Sequence, residues 1–244
     1  MPRFFVKKEL IDNDKIYIKD GDAHHIARSL RMAEGDEITV SDGEGKEYIC
    51  RLVKIRDEEC ECDILGESDG AAESPVVITL CMAYPKGDKL ETVIQKAVEL
   101  GASRILPFES SRCIKRPKAD KIDKQLARLS KIAEEAAKQC GRSRMPEVLS
   151  PVGYAEMLKA VKECELTLLC YEAEDEFSIK NVLKTRPRPK SCAVIVGSEG
   201  GFSRDEVRLA EDSGAITVSL GKRILRCETA PDYALSAISY EYEM

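Results

Sequence analysis

Four apolar residues, Ala193-Val-Ile-Val196, run straight into Gly197-Ser-Glu-Gly-Gly201, and about twenty residues later Ile216-Thr-Val-Ser-Leu220 opens in the same way into Gly221. A β-branched run that breaks into glycines reads as a buried strand delivering a tight, backbone-rich loop, which a ligand can approach closely. The second loop carries Arg223, Arg226 and Glu228 and leads into a small-residue helix from Ala230 to Tyr240. Two such loops could wall one pocket. The same grammar begins at Val76. Val76–Ala83 reads as a strand buried on both faces, and Asp88 caps a helix whose Leu90, Val93, Ile94, Ala97 and Val98 share one side. Gly101 stops that helix and Arg104–Phe108 is the next strand, so the spacing predicts a βαβ unit and an α/β domain over residues 75–244.

Residues 1–70 read differently. Phe4–Val6, Ile16–Ile18, Asp36–Val40, Glu47–Ile55 and Cys60–Leu65 are short β-prone runs, which predict a small β-barrel. One helix interrupts them, from Asp22 as N-cap through Arg31, and Gly66–Pro75 is the best linker segment. Small barrels of this size often bind RNA, and Arg3, Arg28 and Arg31 are the residues to watch, although ordinary exposed arginines would look the same.

At 244 residues the chain can bury a core without covalent staples. It shows no apolar run long enough to span a bilayer and no signal-peptide pattern at Met1–Lys8, so a cytoplasmic protein is expected. The ten cysteines then read as reduced thiols. Cys60 and Cys62, two apart, would share one strand face as small hydrophobes, and adjacent His24 and His25 point apart on a helix, so no metal site is expected. The net charge of −6 would argue against nucleic acid if it were evenly spread. It is not: between Arg112 and Arg144 there are eleven basic residues, among them Lys115, Arg116, Lys118 and Arg142, against four acidic ones. Phosphate contacts follow the local field, so this segment predicts an RNA-facing surface, with a solvated helix face as the alternative. Lys86 and Gly87 suggest anion binding only weakly.

A nicotinamide-type fingerprint would place G-x-G-x-x-G after the first strand. The glycine loop here follows a late strand, in the wrong pattern. The residues instead resemble the SPOUT superfamily of RNA methyltransferases, and within it the ribosomal RNA small subunit methyltransferase E family. The resemblance rests on Gly197-x-Glu-Gly-Gly-Phe-Ser203, Leu220-Gly-x-Arg-Ile-Leu-Arg-x-Glu-Thr-Ala230 and Leu169-Cys-Tyr-Glu172. Lys86-Gly-Asp-Lys-Leu-Glu91, the Glu134–Arg142 stretch and His25–Arg31 extend it over nearly the whole chain. Ser198 and Lys222 stand where the family often has proline, while Cys227 and Pro231-Asp232 replace smaller or commoner residues; no glycine, nor Arg226 or Glu228, is lost.

The resemblance implies an N-terminal PUA-like β-barrel that binds RNA, a C-terminal α/β domain with a deep trefoil knot, S-adenosylmethionine in that knot, and a homodimer. It implies methylation of N3 of one uridine of small-subunit ribosomal RNA, expected at uridine 1498. The cofactor would be held by Leu169, Tyr171, Gly197, Glu199, Gly200, Gly201, Leu220, Gly221, Ile224, Leu225, Arg226, Thr229 and Ala230. RNA would be met by Arg3, Arg28, Arg31, Arg112, Lys115, Arg116, Lys118, Arg142 and Arg144. Uracil N3 is a poor nucleophile until its proton leaves, and a fixed guanidinium would stabilise the anion that forms. That role falls to Arg226, with Glu228 either orienting it or accepting the proton; the alternative is an Arg226–Glu228 ion pair that only pins the loop. Other readings stay open: a related enzyme acting on another RNA such as a tRNA ribose, a non-catalytic RNA-binding homologue, or a Rossmann oxidoreductase. For the dimer, the small and apolar residues Ala230, Ala234, Ala237 and Ile238 of the last helix are the surface to consider.

Overall fold

A computed structural model describes residues 1–114, 116, 119–174 and 176–244, with only the backbone of Ala119. The chain divides into two units, Met1–Glu73 with Ala137–Met145, and Ser74–Ala136 with Pro146–Met244.

The first unit holds β1 (Arg3–Phe5), β2 (Ile11–Asp12), β3 (Lys15–Lys19), α1 (Asp20–His24), β4 (Glu37–Ser41), β5 (Lys46–Ile55) and β6 (Glu59–Asp69). They form one sheet in the order β1-β4-β5-β6-β3-β2, antiparallel except where β1 pairs with β4. Strand alternation sends Tyr48, Cys50 and Leu52 of β5 and Cys60 and Cys62 of β6 to the same interior, so these thiols act as core atoms. Burial pushes the Cys50 and Cys62 thiols up to about 12, which keeps them protonated.

Three expectations need correction here. The helix begins at Asp20, in a left-handed conformation with φ of +56°, so Asp22 lies inside it; it then widens into a π-turn over His25–Ser29 that buries Ile26. The linker segment Gly66–Pro75 is shorter than expected: β6 runs to Asp69 and takes its first four residues, and the division between the units falls in the remainder, after Glu73. Glu67, Ser68 and Asp69 at the end of β6 are exposed and polar, a composition that a strand end shares with a spacer. The unit also takes in residues 137–145. The Glu73 carboxylate accepts the Ser143 and Arg144 backbone N–H groups at 2.9 and 2.8 Å and the Arg142 guanidinium at 2.9 Å, and the Ser41 hydroxyl donates to the Ser143 carbonyl at 2.6 Å.

The second unit contains β7 (Val77–Ala83), α2 (Lys89–Glu99), β8 (Ala102–Glu109), most of α3 (Ile122–Cys140), β9 (Glu147–Val148), β10 (Val152–Gly153) and α4 (Tyr154–Ala160). It continues with β11 (Leu166–Cys170), α5 (Ile179–Lys184), β12 (Ser191–Val196), α6 (Arg204–Asp212), β13 (Ile216–Val218) and α7 (Ala230–Tyr242). The sheet is parallel throughout, in the order β10-β8-β7-β12-β11-β13, with β9 also on β8. The central strands are buried on both faces, as a parallel sheet covered by helices requires. The apolar row expected on α2 is buried. Gly101 and Gly141, at φ of +89° and +82°, follow the ends of α2 and α3, where the left-handed conformation suits glycine.

The order of strands positions the site. From β7 the chain builds outward through β8 to β10, then crosses to lay down β11, and β12 afterwards enters between β7 and β11. In register, Val196 of β12 lies beside Met82 of β7, Ile195 beside Leu169 of β11, and Cys170 beside Val218 of β13. Four carboxyl ends therefore lie side by side where the build direction reverses, the place at which open parallel sheets hold ligands. After β13 the chain returns to place α7 against β12, α2 and α5.

Candidate functional site

The loops leaving β11, β12 and β13, with the first turn of α2, enclose a cleft of ≈ 500 Å³. That is within the range of about 300–1,000 Å³ usual for small-molecule sites. Of the residues expected at the cofactor, all but Leu169 and Thr229 line it; Leu169 is buried in β11 beneath it.

Each wall has a local cause. The loop after β12 is anchored by Phe202, which is buried and stacks on Phe108 with centroids 6.5 Å apart and also packs against Tyr154. The turn closes so tightly that a Cβ on Gly197 would stand 3.2 Å from both the Gly201 Cα and the Phe202 ring. Gly201 has φ of +61°, and its Cα faces the Glu172 carboxylate closely enough that a Cβ would come within 2.8 Å of it. Beyond the loop, Ser203 and Glu206 cap α6 reciprocally, and Glu206 also accepts the Ser111 N–H and hydroxyl at 2.7 and 2.8 Å. Burial pushes Glu206 up, yet the Ser111 and Ser203 donors hold it below the usual carboxylate range.

The loop after β13 is built differently. Among the described residues, the backbone N–H groups from Lys222 to Arg226 have no hydrogen-bond acceptor, whereas the Arg226 carbonyl accepts from Thr229 and Ala230 and starts α7. A run of unpaired donors on a cleft wall is a surface for a polar ligand, since such groups need partners from ligand or water. The buried Ser198 hydroxyl, without a partner among the described residues, adds a further polar group at the cleft.

The acidic and basic side chains resolve into two sets. Glu228 does not pair with Arg226, contrary to both the orienting and the pinning readings; its carboxylate lies 3.1 Å from Lys89 Nζ. Lys89, which the sequence did not single out, also lies 3.0 Å from Glu199. Burial pushes the Glu228 carboxyl up, but its own N–H, the Cys227 thiol and Lys89 hold it below the usual range. Burial also pushes the Cys227 thiol up to about 12, aided by Glu228. Arg226 is exposed and, among the described residues, its guanidinium has no ion-pair partner. Nor does an anion site form at Lys86: its N–H donates to the Glu199 carboxylate at 3.1 Å.

The expected RNA-facing residues also divide. Arg142 is corrected outright: it is 3 % exposed and paired with Glu73, so it supports the first unit from within. Arg3 is mostly buried and paired with Glu47. Arg28 is exposed but bound to Asp57, its Nε donating at 2.9 Å, and Arg112 donates to the Gly200 carbonyl at 3.0 Å, which fixes the glycine loop. Arg116 lies 3.7 Å from Glu109. Arg31 and Arg144 are exposed, while Lys115 and Lys118 lie outside the described residues. The dimer surface read on α7 is corrected as well: Ala230, Ala234 and Ile238 are buried within the unit, and the outward residues are Tyr233, Ser236 and Tyr240.

Fold and cleft are those of an RNA methyltransferase. The RNA methyltransferase domain family matches residues 72–239, and the RNA methyltransferase PUA domain family matches residues 18–65. The chain belongs to the ribosomal RNA small subunit methyltransferase E family. The Bacillus subtilis member is 33 % identical over 251 aligned positions, covering 100 % of this chain and 98 % of the relative. The Neisseria gonorrhoeae member, solved bound to S-adenosyl methionine, superposes with a TM-score of 0.87 at 34 % identity, covering 98 % and 97 % of the two chains. A Legionella pneumophila methyltransferase, solved with its cofactor SAM, gives 0.86 at 30 % identity, covering 98 % and 96 %. The expected fold class, α/β with a PUA-like N-terminal unit, therefore stands. Among the described residues no helix is long and apolar enough to cross a membrane, and no group of three His, Cys, Asp or Glu could hold a metal.

Proposed function

We propose that the cleft takes S-adenosylmethionine and that the protein methylates N3 of one uridine of small-subunit ribosomal RNA, uridine 1498 in the numbering the family implies. The observation that carries this reading is the loop after β13, which combines, among the described residues, unpaired backbone donors on the cleft wall with an unpartnered Arg226 guanidinium beside them. When bound, the cofactor supplies an activated methyl group on a sulfonium.

The protein's own residues do the rest. The backbone of residues 197–201 and 220–225, with Tyr171, Ala230 and the neighbouring Leu169 and Thr229, holds the cofactor. Its close approach depends on the glycines. Arg226 faces the incoming base and stabilises the negative charge left as the N3 proton passes to solvent water, which lowers the pKa of that nitrogen. Glu228, kept ionised by Lys89, is a weak base for that proton and serves the loop instead. Alignment of donor and acceptor supplies much of the acceleration, up to about 7–11 kcal/mol in well-oriented systems.

The N-terminal unit, residues 1–70 in outline, acts as the RNA-binding domain, and residues 75–244 as the methyltransferase domain. Exposed Arg31 and Arg144 of the first unit, with exposed Arg112 and Arg116 of the second, are the RNA-facing cations. The return of the chain from β13 to α7 is read as the threaded end of a deep trefoil knot. The Tyr233, Ser236 and Tyr240 face of α7 is the surface for a second copy, and the enzyme works in the cytoplasm, where its substrate is assembled. Incubation with unmodified small-subunit particles and methyl-labelled S-adenosylmethionine, followed by nucleoside identification, should yield labelled N3-methyluridine. Label in a ribose 2′-hydroxyl, or none, would refute the assignment.

A further inference from the structure

One side chain joins three of the loops at the cleft. Lys89 opens α2, which follows β7; Glu199 lies on the loop after β12 and Glu228 on the loop after β13. The Lys89 ammonium sits 3.0 Å from Glu199 Oε1 and 3.1 Å from Glu228 Oε2, with the Cys227 sulfur at 3.9 Å. Glu199 is held from a second side by the Lys86 N–H. An exposed ion pair contributes little, but this one is shared between two carboxylates, and all three side chains are about two-thirds or more buried, at 34 %, 28 % and 25 % exposure. Removing the ammonium would leave two like charges on facing loops with no common counter-ion, which drives the loops apart.

We propose that Lys89 is a positioning residue: it draws the loops after β12 and β13 onto the start of α2, so that both present their backbone to the cofactor in one geometry. Its action passes through Glu199 and Glu228. The inference rests on the reading of the cleft as the S-adenosylmethionine site. It assigns to Lys89 a duty separate from that of Arg226, whose guanidinium has no ion-pair partner among the described residues.

Calorimetric titration of S-adenosylmethionine into the full chain tests this without RNA. Lys89→Met should weaken binding by about tenfold or more, in keeping with the loss of a hydrogen-bonded charge partner. Lys89→Arg should keep most of the affinity, because a guanidinium can also bridge two carboxylates. Glu228→Gln, which breaks one arm and keeps the lysine, should lose about threefold, and it serves as the readout if the Met variant does not fold. In turnover, the Met variant should raise KM for the cofactor while kcat at saturation stays within a few fold. Unchanged affinity in the Met variant and in Glu228→Gln would overturn the inference, as would an Arg variant as weak as the Met variant, or a collapse of kcat with KM unchanged. No binding by the unaltered chain would instead remove the cofactor reading, and the inference with it.

Discussion

Arg226→Ala is expected to lower methyl transfer by on the order of 10²–10³, the cost of removing one preorganised donor aimed at developing charge, while S-adenosylmethionine binding stays close to that of the unaltered chain. The reason lies in where the residue stands. Its carbonyl helps start α7, a role that alanine keeps, whereas its guanidinium has no partner among the described residues. A side chain that supports no other group can be removed without disturbing the loop, so the loss should fall on chemistry and leave the melting temperature nearly unchanged. Lys89 is the opposite case, since its contacts hold the loops themselves. Normal turnover in Arg226→Ala, or a loss that tracks cofactor affinity, would remove the role assigned to it.

Reversing charge at the start of α3 is expected to have the next largest effect. Lys121 and Lys124 are exposed and, among the described residues, unpaired, unlike Arg128, which lies 2.9 Å from Glu91. Unpaired cations are the ones that can exchange counter-ions for RNA phosphates. Lys121→Glu with Lys124→Glu should weaken RNA binding at moderate salt by about tenfold or more and reduce the slope of log K against log salt by about 1.5, close to two lost phosphate contacts. Arg128→Glu should do less, since its charge is already partly neutralised. Equal affinity and an unchanged slope in the double variant would make this face a solvated surface. Filter binding across a salt series measures both quantities.

Much of this architecture could be read in advance where the local signal and the tertiary use agree. The buried runs at Val76–Ala83 and Ala193–Val196 became the central strands, and the Leu90 to Val98 row became the buried face of α2. Helix α6 carries a local signal too, since Ser203 and Glu206 spell its capping box, although the sequence expectations above do not include it. Other features leave no local trace. Nothing in the order of elements shows that β12 enters between β7 and β11. Arg142 looks like any other arginine of a basic segment, and only the distant Glu73 explains its burial. Local spacing offers Arg226, two residues away, as the partner of Glu228, whereas the partner is Lys89, brought in by the fold from the start of another helix. Pairings of this kind depend on which loops the sheet places together. For that reason the cleft was legible while the wiring of its charges was not.

The most direct test of the account is a crystal structure of the full chain with S-adenosylmethionine. It should place the cofactor in the cleft at the carboxyl ends of β11, β12 and β13, bonded to backbone N–H groups between Leu220 and Arg226, with the Arg226 guanidinium still free at the rim. A cofactor bound elsewhere, or an Arg226 side chain turned inward to pair with it, would contradict the division of labour between the two loops.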